Sequence, residues 1–102
     1  MVHIKYFTAT VVKKAVPPEL FYSTYLEGDF GKHTGGGWHA WSGLCPFHDD
    51  KRAGSLVVNK VTGAYKCFSC GAGGGDILDF MMQKSGLPFS EVLKTLGGSV
   101  NA

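Results

Sequence analysis

The sequence predicts a small α+β domain in which about three antiparallel strands form a metal-stapled ribbon flanked by short helices. Three observations lead there. All three cysteines, Cys45, Cys67 and Cys70, fall in one window, "CPFHDDKRAGSLVVNKVTGAYKCFSC", with Cys-x-x-His at its start and Cys-x-x-Cys at its end. The stretches "SLVVNKV" and "AYKCFSC" inside that window have the β-branched and aromatic texture of strands. After Cys70 the chain breaks at glycines and then turns to helical spacing. With 102 residues the chain is one small domain, whose core is marginal enough for a staple to matter. Hydrophobic residues make up 44% of it, which excludes a disordered tail.

Taken in order, residues 3–13, "HIKYFTATVVK", read as a strand because β-branched and aromatic residues dominate. Pro17-Pro18 breaks that run and suits the first turn of a helix. The helix runs from Glu19 to Glu27, stops at Gly28, and would bury Leu20, Phe21, Tyr25 and Leu26. "GDFGKHTGGG" reads as a flexible connector. "WHAWSGL" alternates and reads as a strand leading into Cys45; "SLVVNKV" and "AYKCFSC" are the next two, joined by a hairpin turn at Thr62-Gly63. "GAGGGD" reads as a loop. Asp76 then caps a helix in which Ile77, Phe80 and Met81 recur at helical spacing, with Gly86 as its stop. "PFSEVLKTLGG" is the last helix, with Val92, Leu93 and Leu96 apolar. The chain thus divides into an N-terminal strand, helix and linker (1–31) and a ribbon with C-terminal helices (32–102).

Cys45, His48, Cys67 and Cys70 give Cys-x2-His, eighteen intervening residues, then Cys-x2-Cys. A two-residue gap lets both members of a pair reach one ion from a tight turn, and two such knuckles joined by a hairpin complete a tetrahedron. Three sulfurs and one nitrogen with no open position describe one structural Zn2+. Thiolates also serve iron–sulfur clusters, but a histidine in place of one cysteine and the ribbon context favour zinc. Three buried free cysteines beside a surface histidine would leave the spacing unexplained. His3, His33 and His39 read as lone surface or structural histidines; His39 is the nearest competitor to His48 and breaks the spacing.

An odd cysteine count argues against a disulfide framework and for a reducing, cytoplasmic compartment. The N-terminus lacks the pattern of a signal peptide, and no apolar run is long enough to span a membrane. Net charge is +2, and three thiolates on one divalent ion would lower it by one. A nucleic-acid surface would therefore rest on local clustering.

"LCPFHDDKRAGSLVVN" followed by "YKCFSCGAGGGDILDF" resembles the zinc-binding domain of bacterial DnaG-type DNA primases and their phage and plasmid relatives. The shared features are the Cys-Pro-Phe-His knuckle, the charged stretch leading into a strand, Cys-Phe-x-Cys-Gly, and a Gly-Asp start to an apolar helix. The resemblance covers about residues 32–97. It implies a primase-type zinc ribbon that binds single-stranded template DNA and helps a separate catalytic domain begin a primer. Lys51 and Arg52 fall where the family places polar and charged residues, and Ser55 matches the family's serine. Gly54 and Leu56 depart from the family's proline and phenylalanine, which puts the local turn in question but not the metal site. None of the eight acidic residues forms a pattern for phosphoryl transfer, so DNA-directed RNA polymerase activity would lie elsewhere. Met1 and the unfamiliar first sixteen residues lean toward a free-standing protein over an excised domain.

Basic and aromatic residues interleave between residues 38 and 68: Lys51, Arg52, Lys60 and Lys66 with Trp38, Trp41, Phe47, Tyr65 and Phe68. Stacking rings beside cations suit a single strand. Trp41 and Phe47 read as core. Trp38, Tyr65 and the four cations read as candidate DNA contacts, with Tyr65 on the face opposite Lys66 by alternation. The competing expectation is a protein-interaction module that keeps zinc purely for structure and docks on a primase, a helicase or another replication protein. Met81 and Met82 read as gap-filling core, and Asp76 as a cap.

Overall fold

The computed structural model describes residues 9–49 and 51–101. Among these, five strands form one antiparallel sheet in chain order: β1 (Phe30–Gly35), β2 (Trp38–Trp41), β3 (Leu56–Asn59), β4 (Tyr65–Cys67) and β5 (Gly73–Gly74). Four helices accompany it: α1 (Ala9–Ala15), α2 (Pro18–Tyr25), α3 (Ile77–Ser85) and α4 (Phe89–Asn101). None is long and apolar enough to cross a membrane.

The first expected strand is corrected where it can be seen. Residues 3–8 lie outside the described residues, and Ala9–Ala15 is helix α1. Its β-branched residues do not decide the matter, because Val12 is buried against the other helices and packing overrides a weak propensity. Lys13 and Lys14 fall in its last turn, where cations favour the helix dipole.

Helix α2 opens at Pro17-Pro18 as expected but ends at Leu26, before Gly28. Phe21 and Leu26 are buried; Leu20 and Tyr25 instead face solvent, at 54% and 42% exposure. Tyr22 takes the missing place in the core, and its hydroxyl donates to the Gly63 carbonyl at 2.6 Å. Burial pushes that hydroxyl's pKa up, well above the ordinary tyrosine value.

The glycine-rich connector contains strand β1. "FGKHTG" has little intrinsic strand preference; it is ordered by pairing with β2, with register shifts on either side of His33, and by Phe30 packing edge-on against Trp41. The 71–75 loop likewise contains β5. Glycine is needed there because a Cβ on Gly74 would sit 2.8 Å from the Tyr65 ring.

The strand pair of the ribbon stands as expected, and so does its turn. Gly63 adopts φ +85, and a Cβ there would press on Ile77. Buried Asn59 organises this end of the sheet. Its Oδ1 accepts from the amides of Val61 and Thr62, and its Nδ2 donates to the Gly36 carbonyl in the neighbouring hairpin.

Asp76 caps α3 by accepting from the amides of Leu78 and Asp79, and the helix stops at Gly86 in the left-handed conformation. Ile77, Leu78, Phe80 and Met81 are buried beneath it, and Val92 and Leu96 of α4 close the core. Phe80 is the hub. Its ring lies 5.0–5.6 Å from those of Phe21, Tyr22, Phe47 and Tyr65, each in an edge-on contact.

Pairing register sets the two faces of the sheet. Leu56, Val58, Tyr65, Cys67 and Trp41 point to the core side and are buried. Trp38, Ala40, Val57 and Lys66 point the other way and retain solvent contact.

Candidate metal centre

Strand β2 delivers the first knuckle and β4 the second. Cys45 and Cys67 are buried, His48 is half-buried and Cys70 is exposed. Their ligand atoms all lie within 4.8 Å of one another. The Cys45 and Cys70 sulfurs are 4.0 Å apart, and the Cys67 sulfur is 3.5 Å from His48 Nε2. A tetrahedral zinc with Zn–S of about 2.3 Å and Zn–N of about 2.0–2.1 Å requires separations of roughly 3.8 and 3.6 Å. The two separations match those values, and the four residues are positioned to bind a metal ion.

Backbone amides beside the sulfurs favour the thiolates. The Phe47 amide donates to Cys45 Sγ at 3.4 Å. Burial opposes ionisation of the Cys67 thiol, but the backbone amides of Cys70 and Ser69 and the neighbouring sulfurs outweigh it and bring its pKa down to about 6. Cys45 goes the other way: burial, with the thiols of Cys67 and Cys70 beside it, pushes it up to about 12 against the pull of the Phe47 amide. Thiols this close cannot all ionise without a cation between them. The amide donors lie within the second knuckle, and the Gly71 amide donates to the Cys67 carbonyl.

The "CPFH" knuckle is tied to the core through Phe47, whose ring stacks on Tyr65 at 5.6 Å and meets Phe80 edge-on. The centre is thus an extension of the aromatic core. His39 stands apart from it, in the β1–β2 hairpin. Asp50 and His3 lie outside the described residues.

The remaining expected contacts scatter. Tyr65 is 2% exposed and its hydroxyl donates to Gln83 at 2.6 Å, so its ring has no face free for a base. That corrects its assignment: it belongs to the core, as does buried Trp41, with Phe47 partly buried against them. Lys60 pairs with Glu19 at 3.6 Å and sits over the Phe30 ring. Lys51 pairs with Asp49 at 3.0 Å, and with Arg52, Ser55 and Ser69 it lines a shallow cleft beside His48. Trp38 and Lys66 share the outer face of the sheet. Phe68 is 71% exposed; its amide still bonds the Ser55 carbonyl, which extends the pairing one step and puts its ring on the side of Lys66. Alternation from Lys66 signalled this face in the sequence.

Residues 32–102 match the family model described as the CHC2 zinc finger of DnaG. Among curated proteins, the chain is 40% identical over 87 residues to the DNA primase of Streptomyces coelicolor, covering 85% of this chain and 12% of that protein. It is 52% identical over 54 residues to the DNA primase of Synechococcus elongatus, covering 53% of this chain and 8% of that one. With the DNA primase of Clostridium acetobutylicum it shares 41% identity over 61 residues, 60% of this chain and 10% of that one. The chain spans about a tenth of the length of these relatives.

Proposed function

The chain belongs to the CHC2 zinc-finger family of DnaG, and from that premise we propose that it is a zinc-stapled module that binds single-stranded template DNA and supports the start of primer synthesis in a replication system. One structural zinc on Cys45, His48, Cys67 and Cys70 holds the ribbon. The catalytic domain of a primase is the partner that makes the bonds, and the reducing cytoplasm is the compartment.

The observation that carries this reading is the outer face of the sheet. Trp38 and Phe68 offer rings, Lys66 stands between them in sequence, and Lys51 and Arg52 project from the loop after the first knuckle. Stacking on exposed rings gives roughly 1–3 kcal/mol per base, and the cations follow the phosphates. The Lys51–Asp49 and Lys60–Glu19 pairs are exposed, and such pairs are weak enough to yield to a phosphate.

The test is fluorescence anisotropy of labelled single strands against zinc-loaded protein at several salt concentrations, with duplex DNA as control. Salt-sensitive binding that prefers single strands is expected. Charge reversal of Lys66, Lys51 and Arg52 should weaken it with the thermal midpoint unchanged, and Trp38→Ala should weaken it further. Unaltered affinity in both would remove this face from the reading.

A second reading has its own observation. A groove between α1, α2 and α4 is lined by Val16, Leu20, Phe21, Tyr25 and Leu96, with Leu20 and Tyr25 exposed. A protein-docking module, with zinc purely structural, would use this side on a primase, a helicase or another replication protein. Absence of DNA binding at low salt, with the fold intact, would favour it.

A further inference from the structure

The β1–β2 hairpin brings two histidines together away from the thiolate cluster. His33 and His39 are register partners, and their ring centroids lie 4.9 Å apart. His33 is exposed and His39 half-buried, so both rings reach solvent. His39 is held in place: its Nδ1 lies 3.1 Å from the Gly31 carbonyl, and Phe30 packs edge-on against the ring. A ring nitrogen facing a carbonyl carries the proton, which leaves the lone pair on Nε2. This is the outer arrangement that orients metal-bound imidazoles.

The spacing fits as well. Two imidazoles on one ion at about 2.0–2.1 Å place their ring centroids about 4.5–5.2 Å apart as the angle at the ion opens from square to tetrahedral. Among the described residues no third His, Cys, Asp or Glu joins the pair, so the other positions on an ion here go to water or to an outside ligand. We propose that His33 and His39 form a second, open metal site on the β1–β2 hairpin, for a divalent transition ion of the imidazole-binding class such as Ni2+, Cu2+ or Zn2+. It is weaker and more exchangeable than the four-ligand centre, and it cross-links β1 to β2, its neighbour in the sheet.

The test is a titration of the chain, preloaded with one equivalent of Zn2+, with Ni2+, followed by paramagnetic broadening in the amide and imidazole spectra. One Ni2+ per chain is expected, with broadening centred on His33 and His39. His33→Gln and His39→Gln should each return the site to a single imidazole and lose of the order of a hundredfold in affinity, the advantage of two linked ligands. His33 is exposed and His39 half-buried, and the amide spectrum of each variant reports its fold. His3→Gln, on the N-terminal segment, should bind as before. Broadening centred elsewhere, loss on His3→Gln, or unchanged affinity in either hairpin variant would overturn the proposal.

Discussion

The knuckle end and the helical end of this domain face the same problem with different means. Around the helices, Phe21, Tyr22, Phe80, Val92 and Leu96 are each at most 1% exposed and exclude water by packing alone. Around the knuckles, Leu44 and Phe68 stand 50% and 71% exposed, and Cys70 is at the surface. There is too little apolar mass at that end to hold two turns against chain entropy. Four residues positioned to bind a metal stand there instead, and a structural zinc, where one binds, contributes about 10–16 kcal/mol of apparent binding free energy. A small sheet can therefore be wrapped by helices at one end and stapled at the other, with Phe47, Tyr65 and Phe80 joining the two.

The sharpest way to break that comparison is to remove the staple. Cys67→Ser, or chelation, should abolish the dispersed amide signals of residues 42–70 and shift the Trp emission; the effect on stability is the largest of any single change here. A spectrum that stays fully dispersed without metal would mean that packing alone holds both ends. Next comes the hub: Phe80→Ala in zinc-loaded protein should cost about 3–5 kcal/mol by denaturant midpoint, because the cavity opens between the helices and the ribbon. A cost under about 1 kcal/mol would show that the two ends are not joined through it.

Alkali probes the same joint. Burial, with the charges of Asp79 and Asp76 nearby, pushes the Tyr65 hydroxyl up to about 12, and Tyr22 is raised by burial too. The stability these neutral hydroxyls contribute is whole below about pH 10 and is lost as pH rises, for Tyr65 through about 12. Tyr65→Phe should flatten part of that fall in urea midpoints measured from pH 9 to 12; an identical slope would show that the hydroxyl is not buried as described. The smallest effect belongs to one helix end. Asp76→Ala removes the cap of α3 and its 3.1 Å pair with Lys13, and should cost about 1 kcal/mol of stability, read as a small fall in the thermal midpoint.

What was legible in the sequence follows the same division. The ligand spacing, the strand pair between the knuckles and the capped helix after them depend on near neighbours, so they could be read. Asp76 as cap, Gly86 as stop and Trp41 as core came from local pattern alone. The misread pieces depend on distant partners. Residues 9–15 are helical because Val12 finds the helical core, and 30–35 is a strand because β2 lies beside it. Tyr65 carries the signature of a base-stacking ring, and only the positions of Phe47, Phe80 and Gln83 reveal it as core. Asn59, which ties two turns together, carries no local signal for that task.

The sheet's two faces differ in how freely they can change. Substituting Leu56 or Val58 opens a cavity or forces a clash, because the helices close over them. Trp38, Val57 and Lys66 point away from that buried side and keep solvent contact, so among the described residues their replacement disturbs the core least. The molecule therefore has a surface on which new chemistry can be drafted one residue at a time without redrawing the architecture behind it.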